Sequence, residues 1–272
     1  MNDFRADLHI HSTFSDGTLT PEEIVHLAKK IGLKGISITD HDTIEAYHTL
    51  PTLAKEHELE IVTGVEFSSY HLGQSVHLLG YNIDIDNTVL RDFCQKHQDR
   101  RKERNLAMLE RLGTLGLPIQ ESEILKLNDK STGRPHIALA MIQHGYVQSV
   151  QEAFVQYLGE GKPAYVQGKM FSVEETISVI QGAGGAAVIA HPHLIAVPTL
   201  LHQLLQIPFD GIECWYSRFL PKQEERWINI AEKKGWIKTG GSDFHGAVKP
   251  QTPLGCSWVD RERFDIIKNF HR

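Results

Sequence analysis

Residues 5–11 of the chain read Arg5-Ala6-Asp7-Leu8-His9-Ile10-His11, an alternation of polar and apolar side chains. Successive side chains of a β-strand point to opposite faces, so His9 and His11 share one face while Leu8 and Ile10 point into a core. Two imidazoles at this spacing can bind one metal ion. The turn-rich residues 12–17 follow at once, which places both histidines at the carboxyl end of the strand, where parallel α/β proteins have their active sites.

The composition is that of an ordinary globular protein with an unusual number of histidines. The chain has 272 residues, of which 41% are hydrophobic and 23% are charged, and it contains 16 histidines. A net charge of −6 disfavours a non-specific nucleic-acid binder, which needs a basic surface. Three well-separated cysteines, the absence of a signal-peptide pattern and the absence of a long apolar run predict a cytoplasmic protein without a membrane segment.

Strands and helices alternate in both terminal parts of the chain. Short strands are predicted near residues 35–39, 59–67, 75–81, 186–190, 211–215 and 236–239, with a last strand and helix within 255–270. Helices with capping signals, such as the one that begins at Thr20-Pro21-Glu22-Glu23, lie between many of them. This alternation is typical of parallel strands with crossover helices, so we predict that residues 1–84 and 171–272 form an α/β barrel domain.

Residues 85–170 interrupt this alternation, because they contain helical patterns and no convincing strand. A long helix is predicted at about 87–116, and shorter helices at about 121–127, 135–144 and 149–158. We therefore predict a helical insertion domain on the α/β body. The basic run at residues 100–104 is expected to be a solvated face of the long helix.

Histidine and carboxylate side chains recur where the predicted strands end. They are His9, His11, Asp16, His41, Glu66, His77, His191, Asp243 and His245. The carboxyl ends of the strands in a parallel barrel meet at one rim, so nine such groups would lie together and would need cations. Imidazole with carboxylate suits Mn²⁺, Zn²⁺ or Fe²⁺, with Mg²⁺ as a candidate at one position, and nine ligands suit two or three divalent ions.

The motifs at these strand ends resemble, in order, those of the PHP family, whose name abbreviates polymerase and histidinol phosphatase. The motifs are Asp7-Leu8-His9-Ile10-His11-Ser12 with Ser15-Asp16-Gly17, Ile38-Thr39-Asp40-His41-Asp42, Gly64-Val65-Glu66, His77, Ala190-His191-Pro192 and Gly241-Ser242-Asp243-Phe244-His245. The resemblance covers the chain apart from the insertion. It implies a distorted (β/α)7 barrel, the PHP fold, with a trinuclear metal centre.

The resemblance also implies how the nine ligands are shared among three ions. One ion would be held by His9, His11, Glu66 and Asp243. Glu66 would bridge to a second ion, held also by His77 and His191. The third ion would be held by Asp16, His41 and His245. Some family members have His at the position of Asp16.

Two segments of the insertion resemble one branch of the family, which contains nucleoside 3′,5′-bisphosphate phosphatases and 5′→3′ exoribonucleases acting on short RNA. The segments read Gly133-Arg134-Pro135-His136-Ile137-Ala138 and Gly161-Lys162-Pro163-Ala164-Tyr165-Val166. Arg134 has a planar donor fork that fits phosphate, and His136 is expected just inside a helix amino terminus. The candidate substrate-binding residues are Arg134, His136, Lys162 and His193. For each of them a purely structural role stays open.

These patterns predict an enzyme that hydrolyses a phosphomonoester with the help of metal ions. A metal-bound water would be the nucleophile, and His245 is a candidate acid, with His193 or a bound water as alternatives. The expected substrate is a small nucleotide, foremost the 3′-phosphate of a nucleoside 3′,5′-bisphosphate. The alternatives are a 5′→3′ exoribonuclease on short RNA, a histidinol-phosphate phosphatase and a noncatalytic metal-binding module. No obligate protein partner is expected.

Overall fold

Eight β-strands and ten α-helices are found in the described part of the protein, for which a computed structural model covers residues 4–127, 132–169, 171–217 and 219–272. The strands are β1 (Ala6–Ile10), β2 (Gly35–Ile38), β3 (Glu60–Ile61), β4 (Gly64–His71), β5 (Gln74–Tyr81), β6 (Ala186–Ile189), β7 (Gly211–Tyr216) and β8 (Ile237–Gly241). The α-helices are α1 (Pro21–Lys30), α2 (Leu50–Glu56), α3 (Thr88–Thr114), α4 (Glu121–Leu127), α5 (Arg134–Gln143), α6 (Val150–Ala153), α7 (Val173–Gly182), α8 (Pro198–Leu204), α9 (Pro221–Lys234) and α10 (Arg261–Lys268). Within these ranges, no helix combines the length and the apolar character that crossing a membrane requires.

The strands form a three-stranded sheet in the order β1-β2-β3 and a five-stranded sheet in the order β4-β5-β6-β7-β8. The first sheet is parallel, and so are the pairs β6–β7 and β7–β8. However, β5 is antiparallel to both β4 and β6. The expectation of parallel strands throughout residues 1–84 is therefore wrong for β4 and β5, which form a hairpin.

The predicted (β/α)7 barrel is confirmed as a mixed α/β fold, but the described strands do not join into one closed barrel. The two sheets meet at short contacts. The His11 amide donates to the Phe244 carbonyl over 2.9 Å beyond the ends of β1 and β8, and the Glu66 amide donates to the Asp40 carbonyl over 3.2 Å. The first contact brings the carboxyl ends of β1 and β8 together, and the second joins the segment that follows β2 to β4.

The predicted last strand within residues 255–270 is a single antiparallel bridge between Ala6 and Val259, followed by α10. The strand predicted at residues 59–67 is divided into β3 and the start of β4, which belong to different sheets, whereas the helix that begins at Pro21 is close to its expected position. The side chain of Thr20 accepts a hydrogen bond from the Glu23 amide and forms the predicted capping box of α1. Asn87 caps α3 in the same way, through a bond from the Leu90 amide.

Helices α3 to α6 follow one another between β5 and α7, and the described residues of this region contain no strand. They bury an apolar cluster of their own, which includes Met108, Leu112, Ile137, Met141 and Leu158. A separate core is what an insertion domain needs to fold against the α/β body. Residues 128–131 and 170 of the predicted insertion lie outside the described residues, and the domain boundaries remain a prediction.

Candidate metal centre and adjoining cavity

Strand β1 positions the first two histidines as its alternation predicts. His9 and His11 are fully buried, and so are Leu8 and Ile10 on the opposite face. Asp7, on the same face as the histidines, holds Ser242, the residue that follows β8. Its two carboxylate oxygens accept hydrogen bonds from the Ser242 amide over 2.9 Å and the Ser242 hydroxyl over 2.5 Å.

Glu66 on β4 lies at the centre of the histidines. Its Oε1 lies 2.9 Å from His77 Nδ1 and 2.9 Å from His191 Nε2. Its Oε2 lies 3.1 Å from His11 Nε2, 3.2 Å from His41 Nδ1 and 3.3 Å from His9 Nε2. One carboxylate thus contacts five of the predicted ligands, and each of its oxygens faces a different group of them.

Asp243 and Asp16 connect the remaining ligands. Asp243 Oδ1 lies 3.4 Å from His11 Nε2, 3.6 Å from His9 Nε2 and 3.4 Å from His245 Nδ1. Asp16 Oδ1 lies 3.3 Å from His245 Nε2 and 3.7 Å from His11 Nδ1. The structure therefore brings all nine predicted ligands to one place.

The candidate ligand atoms form three sets, and within each set all atoms lie within 4.8 Å of one another. They are His9, His11, Glu66 and Asp243; His11, Asp16, His41 and His245; and His41, Glu66 and His77. The first set is the one that the family resemblance implies. The second set is the implied set of Asp16, His41 and His245 with His11 added. The third set contains Glu66 and His77 as implied, but has His41 in place of His191.

Buried charge favours cations here. Burial alone would raise the pKa of Glu66, but the imidazoles of His41 and His9 hold it well below its usual range. Asp16 and Asp243 are likewise held in the ionised form against burial, mainly by His245 and Lys249 respectively. Burial lowers the pKa of His77 and His245, which favours the form of each ring that can give a lone pair to a metal ion.

The geometry of two nitrogens agrees with metal binding. His11 Nε2 and His41 Nδ1 are buried and make no hydrogen bond of acceptable geometry with any described residue. Both nevertheless lie within 3.2 Å of Glu66 Oε2. Nitrogen and oxygen atoms that converge in this way without a hydrogen bond are arranged like ligands of a shared cation, so the residues fit divalent ions.

Two carboxylates that sequence reasoning did not single out orient this centre. Glu213 on β7 is fully buried, and its Oε1 accepts a hydrogen bond from His9 Nδ1 over 2.9 Å. Its Oε2 accepts one from the His191 amide over 2.7 Å. Asp40 accepts hydrogen bonds from the hydroxyls of Ser12 and Ser15 and so fixes the loop that carries Asp16. The signal for Glu213 was a charged residue inside the buried strand Gly211–Tyr216.

A cavity of about 780 Å³ adjoins the metal centre. The candidate ligands Asp16, His41, His77 and His245 line it, and so do four arginines, Arg100, Arg101, Arg104 and Arg134. The expectation that residues 100–104 form a solvated face is wrong for Arg100 and Arg104, which are 7% and 9% exposed. We call the four arginines the arginine wall.

The four predicted substrate residues lie in different surroundings. Arg134 lines the cavity, with its guanidinium 5.5 Å from the ring centre of Phe154 and 5.7 Å from that of Tyr165. His136 is buried, and its Nδ1 accepts a hydrogen bond from the Gly133 amide over 3.0 Å at the start of α5. Lys162 is exposed and is not among the described residues that line the cavity. The ring of His193 packs 4.6 Å from that of Tyr216.

Comparison with known proteins agrees with this geometry. A sequence model of the PHP domain matches residues 7–164. The chain is 32% identical over 262 residues to a 5′-3′ exoribonuclease of Haemophilus influenzae, which covers 93% of this chain and 92% of the relative. It is 30% identical over 246 residues to a 3′,5′-nucleoside bisphosphate phosphatase of Chromobacterium violaceum. This alignment covers 88% of this chain and 86% of the relative. A crystal structure from Bifidobacterium adolescentis, assigned to the metal-dependent phosphoesterases, superposes with a TM-score of 0.88 at 31% identity, over 96% of this chain and 94% of the other.

Proposed function

Since this chain belongs to the PHP domain family of metal-dependent phosphoesterases, we propose that it removes the 3′-phosphate of a nucleoside 3′,5′-bisphosphate. The observation that carries the proposal is that the arginine wall and four of the candidate ligands line the same cavity. A substrate with two phosphates places one at the metal centre and the other at the wall.

Two guanidiniums of the wall are not balanced by carboxylates. Among the described residues, Arg100 and Arg101 form ion pairs with Asp42, whereas no ion pair is found for Arg104 or Arg134. Burial lowers the pKa of both Arg104 and Arg134, and the charges of neighbouring arginines contribute. Arg104 is buried and Arg134 is partly buried. Removing a cation from water without a carboxylate beside it is costly, and a phosphate group satisfies the planar donor fork of arginine.

We assign the nine clustered side chains to two or three divalent ions, with Mn²⁺, Zn²⁺ or Fe²⁺ favoured by the mixed imidazole and carboxylate ligands. Such ions lower the pKa of a coordinated water and neutralise phosphate oxygens when they are bound. The protein side chains hold the ions and orient the substrate. Glu213 fixes the ring of His9, and the loop after β1 presents Asp16 from the other side.

The tautomer of His245 favours a ligand role over that of the acid. Its Nδ1 lies 2.9 Å from the Asp243 carbonyl oxygen, which can only accept, so Nδ1 carries the proton. The lone pair of Nε2 then points toward Asp16 Oδ1 at 3.3 Å. We therefore assign protonation of the leaving oxygen to His193 or to a bound water.

A 5′→3′ exoribonuclease is the second candidate, and the size of the cavity favours it. At about 780 Å³ the cavity lies in the upper part of the usual range for small-molecule sites, about 300–1,000 Å³, and has room beyond one nucleotide. Both reactions break the ester bond at the 3′ oxygen of a nucleotide that carries a 5′-phosphate. The arginine wall would hold that 5′-phosphate in either reaction.

A substrate panel tests the proposal. The purified protein, loaded in turn with Mn²⁺, Mg²⁺ and Zn²⁺, is assayed on adenosine 3′,5′-bisphosphate, adenosine 3′-monophosphate, histidinol phosphate and 5′-labelled short RNA. We expect kcat/KM to be highest for the bisphosphate and activity to be lost with a chelator. Turnover of histidinol phosphate alone, or metal binding without turnover, would exclude the proposal.

Arg134→Ala tests the second phosphate site directly. Charge-assisted hydrogen bonds contribute about 1.5–3 kcal/mol, so we expect KM for the bisphosphate to rise by roughly 10- to 100-fold and KM for the monophosphate to change much less. Lys102→Ala, which removes an exposed cation from the same helix as most of the wall, is the matched control. Equal effects of Arg134→Ala on both substrates would show that Arg134 does not bind the second phosphate.

A further inference from the structure

Asp42 follows the candidate ligand His41, but its carboxylate contacts the insertion helix α3. Oδ2 accepts a hydrogen bond from Arg101 Nε over 2.5 Å and lies 3.6 Å from an Arg100 nitrogen. Oδ1 lies 3.0 Å from His97 Nδ1. The side chain is fully buried, so one carboxylate connects the strand end at the metal centre to three side chains of α3.

The backbone of Asp42 is fixed as firmly as its side chain. Its amide donates to the Glu66 carbonyl over 2.9 Å, and its Oδ1 accepts a hydrogen bond from the Ser68 amide over 2.8 Å. Its φ is 59°, in the left-handed region that non-glycine residues seldom adopt. Such a conformation persists only where its surroundings determine it, and residues of this kind cluster at functional sites.

Arg101 is oriented from two sides. Asp42 Oδ2 holds its Nε, and its Nη2 donates to the Ser68 hydroxyl over 3.0 Å. The remaining Nη1 lies beside Gly133, the residue that precedes Arg134, at 3.5 Å from the position that a Cβ of Gly133 would occupy. Arg101 thereby reaches the start of α5 and lines the cavity.

We propose that Asp42 is a positioning residue for substrate selection: through Arg101 it fixes the arginine wall relative to the metal centre. The inference rests on the proposed function, because the distance in question is that between the two phosphates of the substrate. Without Asp42 the wall loses its orientation, whereas His9 and His191 keep theirs through Glu213.

Asp42→Asn is the test, with Asp99→Asn, an exposed aspartate of α3, as the matched control. We expect KM for adenosine 3′,5′-bisphosphate to rise by about 10- to 100-fold, since small displacements of binding groups have effects of this size. For p-nitrophenyl phosphate, which reports on the metal centre alone, kcat and KM should change by less than about threefold. A purely structural role would instead lower kcat for both substrates together with metal content.

The combination with Arg101→Ala shows whether Asp42 acts through Arg101. Coupled residues give non-additive effects, so the double variant should raise KM no more than Arg101→Ala alone. Additive effects would overturn the inference. If Asp42→Asn does not fold, Ser68→Ala removes the other bond that orients Arg101, and it should also raise KM for the bisphosphate selectively. An unchanged KM in a folded Ser68→Ala protein would also overturn it.

The wild-type protein separates the two proposals. A wild type that shows no preference for the bisphosphate over the monophosphate contradicts the proposed function. A wild type that shows the preference, together with an Asp42→Asn variant that retains it, contradicts the role of Asp42 alone.

Discussion

Glu213→Gln should weaken metal binding without changing any candidate ligand. Glu213 has no solvent exposure and accepts hydrogen bonds from two groups, His9 Nδ1 and the His191 amide. The carboxylate has an oxygen for each donor. The amide of glutamine has only one oxygen, so one of the two donors must face an NH₂ group instead.

Both orientations of the glutamine disturb a ligand. If the amide oxygen faces the His191 N–H, the NH₂ group turns His9 Nδ1 into an acceptor. The proton of His9 then moves to Nε2, the nitrogen that faces Glu66 and Asp243. If the oxygen faces His9, the buried amide of His191 loses its acceptor. The φ of His191 is 25°, so its backbone depends on that support.

Replacing a hydrogen-bond partner of a metal-ligating histidine usually weakens metal affinity by about 10- to 100-fold. We therefore expect a loss of about 1.4–2.7 kcal/mol in metal-binding free energy for Glu213→Gln. Competition with a chromophoric chelator measures this affinity. The metal concentration that gives half-maximal activity should rise by the same factor.

Glu232→Gln is the control, because Glu232 is exposed and pairs with Lys238 on the surface. Thermal unfolding of the metal-free proteins checks that both variants fold. If folded Glu213→Gln binds metal as tightly as the wild type and retains its kcat, then Glu213 does not set the tautomer of His9, and the reasoning fails.

Two further predictions concern stability. A Cβ at Gly241 would lie 2.3 Å from the His9 amide nitrogen, so Gly241→Ala should lower the free energy of unfolding by about 1–3 kcal/mol and reduce metal content; wild-type values in urea unfolding and elemental analysis would contradict this. A hydrogen bond from Arg261 lowers the pKa of Glu60 against the opposing effect of burial, and a hydrogen bond from Lys268 and its charge lower it further. Because this pKa is lower in the folded state, the ion pairs stabilise the protein above the unfolded pKa near 4.5, and this contribution is lost as the pH falls through the folded pKa. Glu60→Gln should therefore cost about 0.2–1 kcal/mol at pH 7 and progressively less below pH 4.5, and a pH-independent difference would refute it.

The convergence of the nine side chains could be predicted from local patterns. Seven of them lie at the carboxyl end of a strand or in the loop that follows it, and such ends are marked in the sequence by an apolar run that stops at a polar turn. Glu66 and His77 instead lie inside β4 and β5. The alternation around His9 and His11 gives the face as well as the position. Glu213 was missed because a single charged residue inside an apolar strand does not by itself indicate a functional role.

The barrel prediction was wrong at the connection between β4 and β5, whose length determines whether the two strands are parallel or antiparallel. Parallel strands need a crossover of a dozen or more residues, whereas β4 and β5 are separated by only Leu72 and Gly73. Both residues have positive φ, 48° and 82°, as a two-residue hairpin turn requires. The strands predicted at residues 59–67 and 75–81 already left only residues 68–74 between them, too few for such a crossover.

The arginine wall could not be recognised from α3 alone, because a charged helix face has the same pattern whether it meets water or a cavity. The rest of the cavity lining distinguishes a solvated helix face from one that binds a ligand. The α/β body presents carboxylates and imidazoles that attract cations, and α3 and α5 present Arg104 and Arg134 without carboxylate partners among the described residues. A molecule that satisfies both sides must be anionic at two separate points. That requirement favours a substrate with two phosphates over a simple monoester, more than the candidate ligands or the arginine wall would alone.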